Sequence, residues 1–318
     1  MSYNKITLSI MLMMCFALFP SCRHNKEDSN KPRGILLGFM SATTEIGSHK
    51  SKASILPFAI YENGKYIAVN CPCDDKEKLS DSCTTALKSR TFYVINNGQT
   101  GIPHKVFAAR VEDFGCENLA SAIITYKPAD KEYENELKDV MEARRKNNDK
   151  DPLKELHFSR TAISYETDGK LKVQPSPINS KVTLNLEQQK YIRDMARKIF
   201  SKNTAIFDST LEIESTEMAD LDHDNKPEYF STVFASDSLS YTSCLIAYHL
   251  NNNKIDTINT ISEYDMDFTQ LEAFDIDGDG NAEMIIYKSG HDFETSVMIY
   301  SYKYGILKKE FETSLFGC

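Results

Sequence analysis

The sequence predicts a mainly β fold with one or two helices, and three patterns predict it. Runs of β-branched and aromatic residues alternate with Asn-Gly and Asp-Gly dipeptides, which is typical of β-hairpins. One segment has apolar residues at helical spacing, and the last third of the chain repeats a strand, an acidic loop and a strand. We therefore expect an N-terminal β-rich domain over residues 34–180, an amphipathic helix over 185–203 and a repeat region over 205–318.

Hairpin signatures define the N-terminal domain. Asn63-Gly64, Asn97-Gly98 and Asp168-Gly169 each separate two strand-like runs, and Asn, Asp and Gly tolerate the left-handed backbone of tight turns. A highly charged insertion, residues 130–151, is either a solvated helix or a mobile excursion. The predicted strands are residues 55–61, 66–69, 91–95, 105–109, 121–126, 161–165 and 170–173.

The helix is predicted from a single apolar stripe. Residues at helical spacing share one face, and that face is expected to pack on a sheet. The stripe consists of Leu186, Tyr191, Ile192, Met195, Ala196 and Ile199.

The N-terminus has the composition of an export signal. Lys5 precedes an apolar run, residues 6–19, which is shorter than the ~20 residues of a membrane span and suits a signal peptide. The run ends at Ser21-Cys22, which resembles the lipobox of bacterial lipoproteins. That resemblance implies a signal peptide over residues 1–21 and a new N-terminal Cys22 that carries acyl chains such as palmitate. An ordinary secretory signal with a chance cysteine is the alternative.

The residues after Cys22 bear on where the protein is displayed. Residues 22–33 are polar and are expected to form a flexible tether. The cluster Lys26-Glu27-Asp28 resembles the acidic signal that sends some lipoproteins to the outer face of the outer membrane, with a generic linker as the alternative. We expect an outer-membrane lipoprotein on the periplasmic or the cell-surface face.

The overall charge excludes one class of partner. The net charge is −9 and the isoelectric point is near 5.4, whereas nucleic-acid binding needs a basic surface. No second apolar stretch of spanning length follows the signal. Besides the lipid anchor, the expected partner is an unidentified protein or glycan.

Six cysteines follow Cys22, and an exported chain folds in an oxidising compartment where disulfides form. Disulfides are therefore expected, and free thiols or a four-thiolate zinc site of Cys71, Cys73, Cys83 and Cys116 are the alternatives. Zinc fits poorly, because paired zinc ligands usually have two to four residues between them, whereas Cys71 and Cys73 have only one. The six are Cys71, Cys73, Cys83, Cys116, Cys244 and Cys318.

Two acidic loops carry the strongest chemical signal, and both have the spacing D-x-D-x-D-x-x-x-E. Calcium takes six to eight oxygen ligands, and carboxylates at alternate positions of a tight loop point inward together. Without a cation, such converging carboxylates would repel one another. The sixth position must turn sharply, which Gly280 and Asn225 permit. The predicted ligands are Asp220, Asp222, Asp224 and Glu228 in the first loop, and Asp275, Asp277, Asp279 and Glu283 in the second.

The flanks of the loops distinguish them from an EF-hand, which closes with a Glu at the twelfth position between helices. Ser231 and Ile286 stand at that position, and the flanks are strand-like. The loops instead resemble those of FG-GAP or VCBS repeats, which are calcium-binding β-propeller blades, over residues 211–313. The resemblance implies Ca²⁺ as the cofactor and a partial or degenerate β-propeller-like C-terminal region, since two repeats cannot close a propeller. An Asp-rich solvated turn is the alternative, and His223 is expected to face solvent.

Several functions remain open. The resemblance implies a calcium-stabilised binding or scaffold module for protein or glycan. A hydrolase acting on the cell envelope or on polysaccharide would need converging acids or a His–carboxylate pair away from the loops, and an envelope-assembly factor is a further possibility. No G-x-S-x-G motif occurs, so no catalytic residue is assigned. The scattered histidines are expected to be surface or satisfied core residues: His49, His104, His157, His249 and His291.

Overall fold

The fold is known from a computed structural model, and all its described residues belong to the unit Pro32–Cys318. The predicted signal peptide, Cys22, the tether and the hairpin at Asp168-Gly169 lie outside the described residues. The structure describes residues 34–48, 51–69, 79–96, 99–113, 118–146, 148–149, 152–165, 176–178, 182–201, 211–236, 241–251, 254–264, 266–290 and 294–316.

Strands dominate the described residues, which confirms the mainly β fold class. Three helices accompany the strands: α1 (Asp81–Lys88), α2 (Asp130–Lys146) and α3 (Leu186–Phe200). The short α1 was not predicted. None of these helices has both the length and the apolar content that crossing a bilayer requires. The strands are β1 (Ile35–Glu45), β2 (Ser51–Glu62), β3 (Lys65–Ala68), β4 (Thr91–Asn96), β5 (Gln99–Lys105), β6 (Ala108–Asp113), β7 (Asn118–Tyr126), β8 (Glu155–Ser164), β9 (Glu212–Ala219), β10 (Glu228–Ser236), β11 (Tyr241–Asn251), β12 (Lys254–Tyr264), β13 (Met266–Phe274), β14 (Glu283–Gly290), β15 (Thr295–Lys303) and β16 (Ile306–Phe316).

The first eight strands form one antiparallel sheet in the order β5-β4-β8-β1-β2-β7-β6, with β3 added beside β2. The predicted Asn63-Gly64 turn joins β2 to β3, and both residues have positive φ, 52° and 77°. Gly38 allows β1 to approach β2 closely, because a Cβ there would lie 2.5 Å from Cγ2 of Ile55. In the second predicted hairpin, the return strand was expected over residues 105–109, but β5 already begins at Gln99.

The last eight strands form two four-stranded antiparallel sheets, β12-β11-β10-β9 and β13-β14-β15-β16. In both sheets each strand pairs with the next strand along the chain. The first acidic loop, residues 220–227, joins β9 to β10, and the second, residues 275–282, joins β13 to β14. The repeat seen in the sequence is therefore a repeat of whole sheets.

The three sheets stack face to face through two apolar cores. Leu37 and Phe58 of the eight-stranded sheet pack with Ile285 and its neighbours in the β13–β16 sheet. The opposite face of that sheet, with Met284, packs on the β9–β12 sheet through Phe230. Because β14 is buried on both faces, it reads as a continuous apolar run rather than an alternating one. The stack is open, with no closed barrel or propeller among the described strands.

A buried carboxylate links the eight-stranded sheet to the β13–β16 sheet. Strand β4 pairs with β8 only from Ala162 onward, which leaves the Thr161 N–H without a strand partner on that side. This N–H donates to Oε1 of the buried Glu272, 3.2 Å away, and the Thr161 hydroxyl lies 2.6 Å from the Tyr287 hydroxyl. Burial raises the pKa of Glu272, while the bonds from Thr161 oppose that rise.

Helices cover the two outer faces of the stack. The predicted helix is present as α3, begun by a capping box between Asn185 and Gln188. It buries Ile192 and Phe200 on the β9–β12 sheet. Two residues of the predicted stripe point elsewhere: Leu186 is 83% exposed and Tyr191 is 42% exposed. The buried stripe runs at four-residue spacing from Gln188 to Phe200, which turns Leu186 and Tyr191 to the solvent side.

The other outer face belongs to the eight-stranded sheet, where α1 and α2 contribute Leu87 and Tyr133 to the core. Of the two interpretations of the charged insertion, the helix is confirmed over α2. Arg160 of β8 fastens this helix to the sheet, with its Nε 3.3 Å from Oε1 of Glu132.

The described cysteines differ in state. Cys83 is disulfide-bonded, and its partner lies outside the described residues. A sulfur held in a disulfide is not a thiolate, so the zinc alternative is wrong for Cys83. Cys244 is a buried free thiol, and burial raises its pKa to about 12.

Candidate metal centre

The two acidic loops occupy equivalent places in their sheets. The closing residue of each motif, Glu228 or Glu283, is the first residue of the second strand. Glu228 pairs with Ala219 and Glu283 pairs with Phe274, the last residues of the preceding strands. The strand ladder therefore fixes both ends of each loop, and the chain between them must turn within a few residues.

The closing glutamates hold the start of each loop. The Leu221 N–H donates to Oε2 of Glu228 at 2.9 Å, and the Ile276 N–H donates to Oε2 of Glu283 at 2.8 Å. Both carboxylates are buried. The two bonds join equivalent positions of the two loops, although the loops lie far apart in the sequence.

The first aspartate of each loop accepts N–H bonds from the residues that follow. Oδ2 of Asp220 accepts from Asn225 at 3.0 Å, and Oδ2 of Asp275 accepts from Gly280 at 3.0 Å. The middle aspartates repeat the equivalence: their Oδ1 atoms accept from the N–H groups of Asp224 and Asp279. Those distances are 3.3 Å at Asp222 and 3.0 Å at Asp277. Both loops thus fold inward around their carboxylates.

Two positions in each loop have a left-handed backbone. The sixth position was predicted to turn sharply, and φ is 66° at Asn225 and 94° at Gly280. The fourth position does so as well, with φ of 58° at His223 and 77° at Gly278. The His223 side chain is half-buried, and its Nε2 lies 3.5 Å from the Ser176 hydroxyl, so the expectation that it faces solvent is only partly met.

The second loop gathers its carboxylates most tightly. Oxygen atoms of Asp275, Asp277 and Glu283 all lie within 4.8 Å of one another, and Asp275 and Glu283 are buried. The fourth predicted ligand, Asp279, turns aside, because its Oδ2 lies 2.5 Å from Nζ of Lys303. Burial acts to raise the pKa of Asp279, but hydrogen bonds from Lys303 and Asn281 hold it below its ordinary value.

The first loop gathers a different set of three. Oxygen atoms of Asp220, Asp222 and Asp224 lie within 4.8 Å of one another, and this group is more exposed than that of the second loop. Glu228 is not in the group. Its Oε1 lies 3.6 Å from Nδ1 of His249, whose Nε2 lies 3.2 Å from the Tyr302 hydroxyl.

Burial perturbs the closing glutamates. Burial, reinforced by the charges of Asp277 and Asp275, raises the pKa of Glu283 to about 8, against the opposing bond from Ile276. Burial likewise raises the pKa of Glu228 to about 7, although the Leu221 N–H opposes it. At neutral pH, Glu283 is therefore mostly protonated and Glu228 about half protonated unless a cation replaces the proton.

Tyrosines of the eight-stranded sheet cover the second loop. The Tyr61 hydroxyl donates to Oδ2 of Asp277 at 2.6 Å. The hydroxyls of Tyr66 and Tyr165 are buried and have no hydrogen-bond partner among the described residues. Burial raises the pKa of both hydroxyls, and the negative charge of Glu283 raises that of Tyr66 further, as the charge of Asp275 does for Tyr165.

The donor set fits a hard cation. All the gathered groups are carboxylates, and hard cations such as calcium take oxygen ligands. The acidic cluster of Asp275, Asp277 and Glu283 could therefore hold a metal ion. The two loops also touch, because the Ala282 N–H donates to the Leu221 carbonyl at 2.7 Å. An ion in one loop would stiffen the backbone that supports the other.

Comparison with protein-family models, with curated proteins and with solved structures finds no match to this chain. The resemblance to FG-GAP or VCBS repeats therefore rests on the spacing of the loops and on their strand flanks.

The described histidines have structural partners. Nδ1 of His104 lies 2.9 Å from the Thr125 carbonyl oxygen, and Nδ1 of His157 lies 3.1 Å from the Thr43 hydroxyl. These contacts fit the expectation of satisfied side chains. His49 and His291 lie outside the described residues.

Proposed function

We propose that this protein is an exported, lipid-anchored binding or scaffold module whose C-terminal sheets are stabilised by Ca²⁺ in the two acidic loops. One observation carries the proposal: the two loops share backbone conformation and hydrogen bonding position by position, and each brings three carboxylates together. Calcium suits an all-oxygen donor set of this flexibility better than Mg²⁺, which demands near-ideal octahedral geometry. The affinity expected for an extracellular module is roughly 10⁻⁴ to 10⁻³ M.

The proposed ligands differ between the loops. In the second loop Asp275, Asp277 and Glu283 supply the carboxylates, and Asp279 joins them only when Lys303 turns away. In the first loop Asp220, Asp222 and Asp224 supply them. Glu228 is not among these ligands, and it accepts a hydrogen bond from the Leu221 N–H. The peptide carbonyl of the seventh position, Lys226 or Asn281, is the expected backbone ligand.

Lipid anchoring is proposed from the lipobox-like Ser21-Cys22 and the polar tether behind it. The disulfide at Cys83 supports export, because disulfides persist in oxidising compartments. Replacing the lipidated sulfur tests this part. We expect Cys22→Ser to move the protein from the membrane fraction to the soluble fraction and to abolish incorporation of labelled palmitate, with Cys244→Ser as the matched control. Equal palmitate incorporation in both variants would contradict the anchor.

No observation on the described residues favours the hydrolase over the module. The His–carboxylate contact that the structure does describe, between His249 and Glu228, belongs to the first acidic loop, and Glu228 is buried there. A protein and glycan array, probed with the full mature chain, tests the module. We expect at least one ligand that binds with calcium present and is released by a chelator. Cleavage of an envelope polysaccharide by the same preparation would instead identify a hydrolase.

Tyr61 is expected to support the second calcium site, because it hydrogen-bonds a proposed ligand. Groups that orient metal ligands typically contribute 10- to 100-fold in affinity, so Tyr61→Phe should weaken calcium binding at the second loop by roughly tenfold. Tyrosine-sensitised terbium luminescence measures the effect, since the chain has no tryptophan.

Tyr304→Phe is the control for that variant, because Tyr304 is fully exposed at the β15–β16 turn. Terbium binding should be unchanged by this substitution. Identical titrations of Tyr61→Phe and the parent protein would show that the Tyr61 hydroxyl does not belong to the site.

A further inference from the structure

A groove with a volume of about 810 Å³ runs beside α2. Helix α2 covers the face of the eight-stranded sheet that is opposite the C-terminal sheets, so the groove is separate from the acidic loops. A volume of this size is in the range of small-molecule sites. The groove is independent of the proposed calcium function.

The wall of the groove is apolar. Leu137 and Leu153 line it and are partly buried against the core of the eight-stranded sheet. Met141 and Ile46 line it as well, yet they are 53% and 41% exposed. Methionine adapts well to irregular apolar ligands.

Among the described residues, the rim of the groove has an excess of positive charge. Lys138 and Arg144 each have an acidic partner within the groove: Nζ of Lys138 lies 3.9 Å from Glu142, and Arg144 lies 3.0 Å from Asp149. Arg145 also lines the groove, is exposed and has no ion-pair or hydrogen-bond partner for its side chain among the described residues. The groove therefore combines one uncompensated guanidinium with an apolar wall.

We propose that this groove binds a single-chain anionic amphiphile, with the alkyl chain against Met141 and the head group at Arg145. A fatty carboxylate and the head group of a lysophospholipid share this chemistry. A guanidinium binds either a carboxylate or a phosphate through paired N–H donors. The alkyl chain needs only apolar contacts, which the wall supplies.

An extended peptide fits the groove less well. Helix α2 uses its backbone N–H and C=O groups within itself, so it offers no strand edge with which a peptide backbone could pair. A peptide lying on the apolar wall would leave its own backbone polar groups without protein partners. An alkyl chain has no such groups, and charge complementarity at Arg145 fixes which end of the ligand lies there.

Calorimetric titration of the full mature chain with dodecanoate, below its critical micelle concentration, tests the proposal. We expect saturable binding of one dodecanoate per chain, loss of binding in Met141→Glu and a roughly tenfold weaker affinity in Arg145→Gln. Lys131→Gln is the matched control, because Lys131 is an exposed cation of the same helix that does not line the groove. Far-UV circular dichroism confirms that each variant is folded.

Two parallel titrations distinguish the ligand class and its source. Dodecanol, which lacks the charge, should bind at least tenfold more weakly than dodecanoate. A single-chain phosphatidic acid, compared with dodecanoate, shows whether a phosphate or a carboxylate head group is preferred, and both outcomes support the proposal. Absence of dodecanoate and lysophosphatidate binding, equal binding of dodecanol, an unchanged affinity in Arg145→Gln, or binding of an acidic peptide in place of the amphiphiles would overturn it.

Discussion

Calcium at a few millimolar is expected to raise the melting temperature at pH 8 by roughly 5–10 °C, and Asp277→Asn is expected to remove most of that rise. An ion that binds only the folded state stabilises by a free energy that grows with its concentration over the dissociation constant. Two sites of roughly 10⁻⁴ to 10⁻³ M then contribute about 2–5 kcal/mol, which sets the size of the shift. The second loop should dominate because its carboxylates are the more buried group.

Asparagine is the informative replacement at Asp277. It keeps one oxygen, which can accept either from the Tyr61 hydroxyl or from the Asp279 N–H, and it removes the charge that the ion neutralises. Asp222→Asn should remove the smaller part of the rise, and Asp139→Asn, on the exposed side of α2, should leave it intact. Melting curves that superpose with calcium and with chelator would argue against metal in either loop.

The calcium-free protein is expected to lose stability as the pH rises from 5 to 8.5. Burial raises the folded-state pKa of Glu283 to about 8 and of Glu228 to about 7, above the ordinary glutamate value of 4.5. The folded state therefore binds more protons than the unfolded state above pH 4.5, so this contribution to stability is complete below that pH. It is lost as the pH passes through 7 and 8. The loss is on the order of a few kcal/mol.

Calcium should reduce this pH dependence, because its ligands must be deprotonated and an ion replaces the missing protons. With saturating calcium, the difference between the free energies of urea unfolding at pH 5 and at pH 8.5 should be smaller than without calcium. Glu283→Gln should flatten the calcium-free profile and also weaken calcium binding. Glu217, whose pKa burial raises to about 7, provides the control: Glu217→Gln should flatten the calcium-free profile without changing the calcium response.

A calcium-free protein that is equally stable at both pH values would contradict the assignment of buried, protonated glutamates. A pH profile that falls with rising pH but is unchanged by calcium would support the raised pKa values of the buried glutamates. The same result would contradict calcium binding.

Local patterns predicted the fold class and the first hairpin. Asn63-Gly64 favours a tight turn independently of its surroundings, and the strands that flank each acidic loop are its neighbours in the sequence. The stacking of the sheets was not predictable in this way. It depends on which faces of β14 meet which neighbours, and a strand buried on both faces has no alternation to read. The prediction of the buried face of α3 was partly wrong. Leu186 fits the helical spacing, but the residues that contact the sheet recur at four-residue spacing from Gln188, which leaves Leu186 exposed.

The candidate site was only half visible in the sequence. The aspartates and the closing glutamates stand at fixed spacing, and the structure brings three of each set together. Tyr61 could not be found this way, because 216 residues separate it from Asp277. The diversion of Asp279 to Lys303 also depends on a later strand. The left-handed fourth position did leave a local signal, since glycine stands there in the second loop at Gly278.

The central claim is that both acidic loops hold calcium, and the number of ions bound tests it most directly. Equilibrium dialysis of the mature protein at pH 8 should give two bound calcium ions per chain, and one ion in each of Asp277→Asn and Asp222→Asn. Magnesium at the same concentration should not displace them. A parent protein that binds no calcium at ten millimolar, while both loops remain folded, would contradict the account.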